Sequence, residues 1–276
     1  MGTLLAAVAA LGYGSGDFLG GVATRRMDAG RTLLWGHLVG FLLLVAWAPF
    51  DSAEPSVPTM AAGAGAGLFG LAGLFFLYTG LARGRAAVVA PTAAVVGAVV
   101  PVVFGLLSGD SPGLAGWVGV VVALPAIYLV SQVEGSGRRA AGLGHGLAAG
   151  SLFGGYFVLL ALASGETGMW PLLASRALTA VLLAVVALVT KRQWLRPPTG
   201  GTAAAVFGVG ALDLVGNIGY LLAAAVGNLV VVAVVASFYP AVTVALAKVV
   251  HNESLSTPQM AGVLLALVSV ASFSIP

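Results

Sequence analysis

Three polar side chains lie inside a long apolar stretch in the last third of the chain. Asp213, Asn217 and Tyr220 are separated by four and then three residues. Because this spacing follows the turn of an α-helix, all three side chains lie on one helical face. An ionised carboxylate at the middle of a bilayer costs roughly 2.5–3.5 kcal/mol, so this face must contact protein or water rather than lipid. The pattern indicates either half of a substrate site within a membrane or a polar contact between helices.

Other ionisable residues also fall within apolar stretches. Asp17, one turn after Tyr13, is either a surface carboxylate paired with a neighbouring arginine or a cation or proton site in a cavity. Arg176 either pairs with a carboxylate or anchors the carboxylate of a substrate. His37 is either packed in the protein or a proton relay. Because burial favours the protonated form of a carboxyl group, Asp17 and Asp213 are candidates for proton coupling, and His37 is a third candidate because histidine can relay protons.

The composition identifies the kind of protein that positions these side chains. Of the 276 residues, 59% are hydrophobic and only 8% are charged, whereas soluble domains carry about 25% charged residues. A chain this apolar, with a mean hydropathy of +1.06, is a polytopic membrane protein. The net charge of +3 comes largely from arginines in short connections, so it does not indicate nucleic-acid binding. Without cysteine, disulfides and thiolate metal sites are excluded.

Ten apolar segments can be drawn along the chain, each about long enough to cross a membrane. We expect helices at residues 3–23, 32–49, 59–82, 86–107, 113–132, 143–164, 169–190, 202–225, 229–250 and 257–275. The odd-numbered connections between them hold Arg25, Arg26, Arg31, Arg83, Arg85, Arg138, Arg139, Lys191, Arg192 and Arg196. The positive-inside rule therefore predicts that odd-numbered connections are cytoplasmic and that both termini lie outside.

An internal repeat divides the chain into two halves. Shifted by about 143 residues, Gly84–Ser131 aligns without a gap on Gly227–Ser274. Since each half holds five spans, the second copy is expected to be inverted in the membrane, with a site near the midplane. The fold class that we expect is an all-α membrane protein of two inverted five-helix repeats. The repeats are residues 1–133 and 143–276, joined by a cytoplasmic linker at 134–142.

The same register shows that the polar cluster belongs to one half only. Gly70 occupies the position equivalent to Asp213, and Leu74 the position equivalent to Asn217. This asymmetry suits an asymmetric substrate better than a purely structural role. No catalytic nucleophile–base pair, metal-ligand cluster or Walker motif is apparent in the sequence. We therefore expect neither an enzyme, nor a metal or other cofactor, nor an ATP-driven pump.

Several segments resemble a known family. The pattern ALAKVVHNESLSTPQMAGVLL, after SFYPAVT, resembles the second EamA-type repeat of drug/metabolite transporters. LARGRAAVVAPTAAVVGAVVPVVFGLLSGDSPG resembles its degenerate partner, and GYGSGDFLGG is similar to the opening of many bacterial members. The resemblance covers essentially the whole chain. It implies ten helices, a pseudo-twofold axis in the membrane plane, and a central cavity lined by the first, third, fourth, sixth, eighth and ninth helices.

The resemblance also implies a function. We expect a secondary transporter that moves a small polar or amphipathic metabolite, amino acid-like or drug-like, across the cell membrane by alternating access. Export is slightly favoured and proton coupling is a further hypothesis, whereas a passive facilitator or channel is the alternative and an intramembrane enzyme a second one. The partners are lipid, the solute and protons, with no nucleic acid, and the state is a monomer or homodimer. The expected substrate-binding residues are Tyr13, Asp17, Tyr156, Arg176, Asp213, Asn217, Tyr220 and Tyr239.

Overall fold

The computed structural model describes residues 1–83, 86–130, 142–165, 168–251 and 256–272, and within them every regular element is helical. The α-helices are α1 (Gly2–Thr24), α2 (Ala29–Trp47), α3 (Val57–Arg83), α4 (Ala86–Leu107), α5 (Gly113–Val130), α6 (Leu143–Leu162), α7 (Trp170–Val189), α8 (Gly200–Val226), α9 (Leu229–Ala236), α10 (Tyr239–His251) and α11 (Thr257–Ser272). Single 3₁₀ turns lie at Ala48–Phe50 and Gln193–Leu195. Arg85, Arg138, Arg139 and all of the predicted linker except Gly142 lie outside the described residues.

The helices confirm an all-helical membrane protein. In the described residues, seven stretches are long and apolar enough to cross a membrane, and one of them, Leu229–Val250, combines α9 and α10. Three further apolar helices are shorter: Thr92–Leu107, Gly113–Leu129 and Thr257–Ser272. These three coincide with the fourth, fifth and tenth predicted segments. The predicted number of ten spans therefore depends on whether these shorter helices also cross the membrane.

The ninth predicted segment forms two helices rather than one. α9 ends at Ala236 and α10 begins at Tyr239, directly before Pro240. Proline has no N–H to donate, and its ring clashes with the carbonyl of the residue four positions earlier, which here is Ala236. The hydroxyl of Ser237 donates to the carbonyl of Ala233 at 2.7 Å. The same carbonyl accepts the backbone N–H of Ser237 at 3.1 Å, so Ser237 is bound to the end of α9 by both its backbone and its side chain.

The two halves pack against each other through equivalent helices. Within the described residues, α1 contacts α8 just as α6 contacts α3, and α2 contacts α8 just as α7 contacts α3. Likewise, α4 contacts α6, while α9 and α10, which together are equivalent to α4, contact α1, the equivalent of α6. α2 also contacts its own equivalent α7, and α5 contacts its own equivalent α11. Exchange of the two halves therefore leaves this pattern of helix contacts unchanged.

The equivalent helices α2 and α7 run antiparallel and are joined at both ends. Trp35 near the start of α2 donates its indole N–H to the carbonyl of Trp194, after the end of α7, at 2.9 Å. At the other end, Trp170 in α7 donates its indole N–H to the carbonyl of Ala53, after the end of α2, at 2.8 Å. The connections that follow the two helices are thus attached to the opposite half of the chain.

α1 and α8 approach each other with their backbones in contact. A Cβ at Gly12 would lie 2.5 Å from the backbone nitrogen of Gly216, and one at Gly2 would lie 2.7 Å from the Cα of Gly227. Small residues permit this close approach between membrane helices. Further along α1, a Cβ at Gly20 would meet nothing within 4 Å. α1 is therefore tightly packed over its first half and less enclosed near its C-terminal end.

Candidate functional site

A cavity of about 180 Å³ lies between the two halves of the chain. Its described lining comes from α1, α2, α3, α6, α7, α8 and α10. No described residue of α4 lines it, although the resemblance implied that the fourth helix would. α2 and α7 line it instead, because they contact each other across the interface between the halves. The lining residues are Tyr13, Asp17, His37, Gly67, Gly70, Leu71, Leu74, Leu77, Phe153, Tyr156, Phe157, Ser175, Arg176, Asp213 and Tyr239.

Arg176 on α7 forms an ion pair with Asp213 on α8 at the cavity wall. The arginine side chain is 8% exposed and the aspartate side chain 38% exposed, so the pair is buried on one side and open to the cavity on the other. A buried charge without a partner is strongly unfavourable, so each group makes the position of the other tolerable. Arg176 therefore reaches the cavity as one half of a neutral pair.

Asn217 holds Asp213 from behind. Its amide nitrogen donates to the backbone carbonyl of Asp213 at 2.6 Å and to the carboxylate Oδ2 at 3.2 Å. The amide oxygen of Asn217 accepts a hydrogen bond of 3.1 Å from the hydroxyl of Tyr13 on α1. These bonds limit the orientations open to Asp213, and the one from Tyr13 connects the ion pair of the second half to the first half.

His37 on α2 makes a second connection between the halves. The Oγ1 of Thr179 lies 2.6 Å from Nδ1 of His37, and a terminal nitrogen of Arg176 lies 3.3 Å from the same ring nitrogen. A guanidinium group carries only donors, so the ring nitrogen that faces it must act as an acceptor. Nε2 of His37 lies 3.5 Å from the same arginine nitrogen, and the Thr179 hydroxyl donates to the carbonyl of Ser175 at 2.9 Å, so His37 meets the ion pair through one acceptor nitrogen of its ring.

Asp17 differs from Asp213 in having no partner among the described side chains. No described residue forms a hydrogen bond or an ion pair with its carboxylate, and the side chain is exposed to the cavity. Among the residues that the structure describes, no pair of Asp17 with a neighbouring arginine is observed. Asp17 is therefore the acidic group on the cavity wall that remains available to a solute after Arg176 and Asp213 have paired with each other.

Aromatic rings close one end of the cavity. The ring centroid of Phe157 lies 5.9 Å from that of Tyr13, 5.3 Å from that of Tyr156 and 4.7 Å from that of Tyr220. Tyr239 adds a further edge contact to Tyr13 at 6.5 Å. The rings join α1, α6, α8 and α10 into one hydrophobic cluster. They separate the cavity from the end of the bundle where the start of α1 meets the end of α8.

The opposite end of the cavity is formed by residues near the C-terminal ends of α1 and α3. Asp17 lies on α1, which ends at Thr24, and Leu77 lies on α3, which ends at Arg83. Both helices lead into odd-numbered connections. The lining on α1 and α3 therefore extends toward the odd-numbered connections, whereas toward the N-terminus α1 and α8 pack backbone to backbone at Gly2 and Gly227.

Comparison with known proteins assigns the family. The EamA-like transporter family matches residues 1–132 and 140–275, which is nearly the whole chain in two repeats. The chain belongs to the EamA-like transporter family. It is therefore a multi-pass membrane transporter of the drug/metabolite type, which confirms the resemblance in the sequence. The chain is also similar to a crystal structure of another protein, with a TM-score of 0.79 and 18% sequence identity. The match covers 98% of this chain and 95% of the other one, and at this identity it shows the fold alone. No curated protein matches the chain.

Not all of the predicted substrate residues line the cavity of this EamA-like transporter. Asn217 and Tyr220 lie behind the wall, where their side chains are 1% and 0% exposed. The hydroxyl of Tyr220 is buried and has no hydrogen-bond partner among the described residues. The other predicted substrate residues do line the cavity: Tyr13, Asp17, Tyr156, Arg176, Asp213 and Tyr239. His37, the predicted proton relay, lines it as well.

Other lining residues of the transporter were not predicted from its sequence. The most extensive are on α3, where Gly70, Leu74 and Leu77 line the cavity. Their spacing of four and then three residues equals that of the polar face on α8, so the repeat register carried a signal for them. Ser175 and Phe157 had no such signal, because nothing distinguishes them from other small or aromatic residues of membrane helices.

Proposed function

We propose that this protein is a secondary transporter that carries a small amphipathic solute with a positively charged group through the cavity between its halves. The unpaired carboxylate of Asp17, in a cavity where Arg176 is already paired, carries the proposal. Alternating access would expose the site to one side of the membrane at a time. The two halves would be residues 1–133 and 143–276, connected by 134–142.

The charges on the cavity wall favour a cation over an anion. An anionic solute would have to displace Asp213 from Arg176, and it would meet the negative charge of Asp17. A cation would gain a partner in Asp17 without breaking an existing pair. At about 4 Å and an effective dielectric constant of about 20, this attraction is about 4 kcal/mol. Even if most of it is offset by loss of hydration, a tenfold preference requires only about 1.4 kcal/mol.

The remainder of the wall suits an apolar body. Leu71, Leu74 and Leu77 form one side of the cavity, and the rings of Tyr156 and Phe157 lie at its closed end. Such a lining, with few polar groups, is typical of sites for small organic molecules. Aromatic faces also attract cations. These contacts favour a solute with an aromatic or aliphatic group next to its positive charge.

The arrangement of the helices supports alternating access by inverted halves. α2 and α7 hold equivalent positions and are antiparallel neighbours. A twofold axis that relates antiparallel neighbours must be perpendicular to them, which for spanning helices means an axis in the membrane plane. With ten spans and cytoplasmic odd-numbered connections, both termini would be outside and the present cavity would extend toward the cytoplasm. That opening suits export of a cytoplasmic solute.

Three solutes of similar size test the charge preference: phenethylamine, phenylalanine and 3-phenylpropionate. Each is added to the purified wild-type protein and to the Asp17→Asn variant, and the midpoint of thermal unfolding is measured. We expect phenethylamine to stabilise the wild-type protein most and 3-phenylpropionate to stabilise it least. In the Asp17→Asn variant, we expect the two solutes to raise the unfolding midpoint equally. Equal stabilisation of the wild-type protein by the amine and the carboxylate, or an unchanged preference in the variant, would contradict the proposed charge selectivity.

Transport is tested with the same amine in proteoliposomes. A carrier that exposes its site alternately exchanges labelled outside phenethylamine for unlabelled inside phenethylamine, so the label accumulates transiently. A passive channel gives equilibration without this counterflow. Absence of counterflow at saturating amine, with uptake retained, would favour the facilitator and exclude alternating access.

A further inference from the structure

The equivalent helices α3 and α8 contribute very differently to the cavity. Both contain 27 residues, and α8 begins and ends 143 positions after the corresponding ends of α3. α3 lines the cavity with a continuous face that includes Leu71, Leu74 and Leu77, whereas α8 contributes Asp213. The two halves are therefore related in topology but not in the exposure of equivalent residues.

The buried counterpart of the leucine face on α3 is polar. The positions on α8 equivalent to Leu74 and Leu77 are Asn217 and Tyr220, whose side chains are 1% and 0% exposed. Leu214, equivalent to Leu71, is 6% exposed. One face of α3 is thus open to the cavity while the same face of α8 is packed against α1.

The hydroxyl of Tyr220 has no use in the present conformation. It is buried and has no hydrogen-bond partner in the part of the chain that the structure describes, although buried polar groups in proteins nearly always have one. The ring itself packs 4.7 Å from that of Phe157, a contact that phenylalanine would make equally well. A hydroxyl kept at such a position indicates a second environment in which water or a solute satisfies it.

We propose that Asn217 and Tyr220 form the cavity wall in a second conformation, which opens at the end now closed, while Leu74 and Leu77 become buried. The inference depends on the proposed alternating access. If the two halves exchange conformations, α8 takes the environment that α3 has now. The hydrogen bond from Tyr13 to Asn217 breaks in that exchange, and the amide becomes available to the solute.

The two conformations therefore offer the solute different chemistry. In the present one, the solute contacts Asp17 and a wall of leucines. In the second one, it meets the amide of Asn217 and the hydroxyl of Tyr220, which bind hydrogen-bonding groups rather than apolar surface. Recognition of a polar group on the solute is thus assigned to the conformation that opens toward the N-terminal end of α1.

Single cysteines test the exchange without background labelling, because the chain contains no cysteine. Leu77→Cys, Tyr220→Cys and Val206→Cys are reconstituted in proteoliposomes and treated with N-ethylmaleimide. Val206 is the matched buried control on α8, since it is 1% exposed and its equivalent Gly63 is also buried. We expect Leu77→Cys to react fastest and Tyr220→Cys to react at least tenfold faster than Val206→Cys. Reaction of Tyr220→Cys at the rate of the control would overturn the inference.

A cross-link distinguishes the second conformation from local opening. Gly2 and Gly227 are in contact at the closed end, and a disulfide between cysteines at the adjacent positions Thr3 and Val226, which leaves both glycines in place, would hold that end shut. Oxidation should abolish labelling of Tyr220→Cys and leave that of Leu77→Cys unchanged. Labelling of Tyr220→Cys that persists at the same rate after oxidation would overturn the inference.

Two additions keep the test decisive. Leu214→Cys should react like Tyr220→Cys, because its equivalent Leu71 lines the cavity, so it replaces Tyr220→Cys if that variant does not fold. Counterflow of phenethylamine is measured in the same vesicles. If counterflow occurs but Tyr220→Cys is not labelled, the assignment of Tyr220 to the cavity wall is contradicted and the proposed amine transport is not. If labelling occurs as expected but counterflow does not, the proposed amine transport is contradicted and the assignment of Tyr220 to the wall is not.

Discussion

Arg176 and Asp213 form an ion pair in which the guanidinium is almost buried and the carboxylate faces the cavity. Asn217 fixes the same carboxylate from behind. Asp213 therefore has a structural role, whereas Asp17, the other acidic group on the cavity wall, is available to bind a solute. The two aspartates differ in their partners, so the same substitution at each should have different effects.

Asp213→Asn should destabilise the protein, and Asp17→Asn should not. Removal of one partner from a fully buried ion pair costs about 3–5 kcal/mol. Because the carboxylate of Asp213 is 38% exposed, we expect a smaller loss of about 2–3 kcal/mol, since solvent screens part of the attraction. The midpoint of thermal unfolding in detergent measures the effect, and Asp17→Asn is the matched control.

The double variant Arg176→Gln/Asp213→Asn separates the ion pair from other effects of the substitution. If the cost of Asp213→Asn arises from an arginine left without a partner, removal of the guanidinium should restore part of the stability. Equal losses in Asp213→Asn and Asp17→Asn, with no recovery in the double variant, would show that the pair does not stabilise the fold.

The helices were predictable from the sequence, whereas the pairing of Arg176 with Asp213 was not. Apolar runs of membrane length and the polar connections between them define the helix ends, so the predicted and observed ends differ by at most about three residues, except at the break between α9 and α10 within the ninth segment. The ion pair depends on the rotation of α7 relative to α8. That rotation depends partly on the packing of Gly67 on α3 against Ser175 on α7, which no local pattern indicates.

The burial of Tyr220 shows a different limit of the sequence. Its spacing from Asp213 and Asn217 predicted the shared helical face, and the hydrogen bonds between Asn217 and Asp213 agree with that. The position of Tyr220 relative to the cavity depends on which end of the bundle is closed. Two halves of similar sequence permit closure at either end, so the sequence alone does not select the conformation.

Tyr13→Phe and Tyr220→Phe remove the same atom from two different environments. The hydroxyl of Tyr13 donates to Asn217, so its loss should lower the free energy of unfolding by about 1 kcal/mol. The hydroxyl of Tyr220 has no partner within the described ranges of the chain, so its loss should leave the stability unchanged or raise it by up to about 1 kcal/mol. Thermal unfolding of both variants in one detergent checks the difference. A larger loss in Tyr220→Phe than in Tyr13→Phe would mean that the Tyr220 hydroxyl is satisfied.

Asp17 should couple solute movement to a proton gradient. Its equivalent in the second half is Leu160, which is 0% exposed, so an exchange of conformations would bury Asp17. An unpaired carboxylate is not tolerated in such an environment, so Asp17 must carry a proton or a cation through the exchange. An imposed proton gradient should therefore drive accumulation of phenethylamine in vesicles with the wild-type protein and not with Asp17→Asn. Undiminished gradient-driven accumulation in the variant would assign the coupling to another group.

Gly12→Ala and Gly20→Ala test the close approach of α1 to α8. A Cβ at Gly12 would lie 2.5 Å from the backbone of Gly216, where no flexible side chain can move away. We expect Gly12→Ala to force the helices apart and to lower the free energy of unfolding by about 1–3 kcal/mol. Gly20, on the same helix, has nothing within 4 Å of that position.

Gly20→Ala should therefore be neutral or stabilising by up to about 1 kcal/mol, since alanine favours the helix over glycine. The same substitution thus has opposite expected effects two turns apart, and thermal unfolding measures both. In Gly12→Ala, the closed end should also open more often, so labelling of Tyr220→Cys combined with Gly12→Ala should be faster than with Gly20→Ala. Similar unfolding midpoints for the two alanine variants would show that α1 and α8 do not pack backbone to backbone at Gly12.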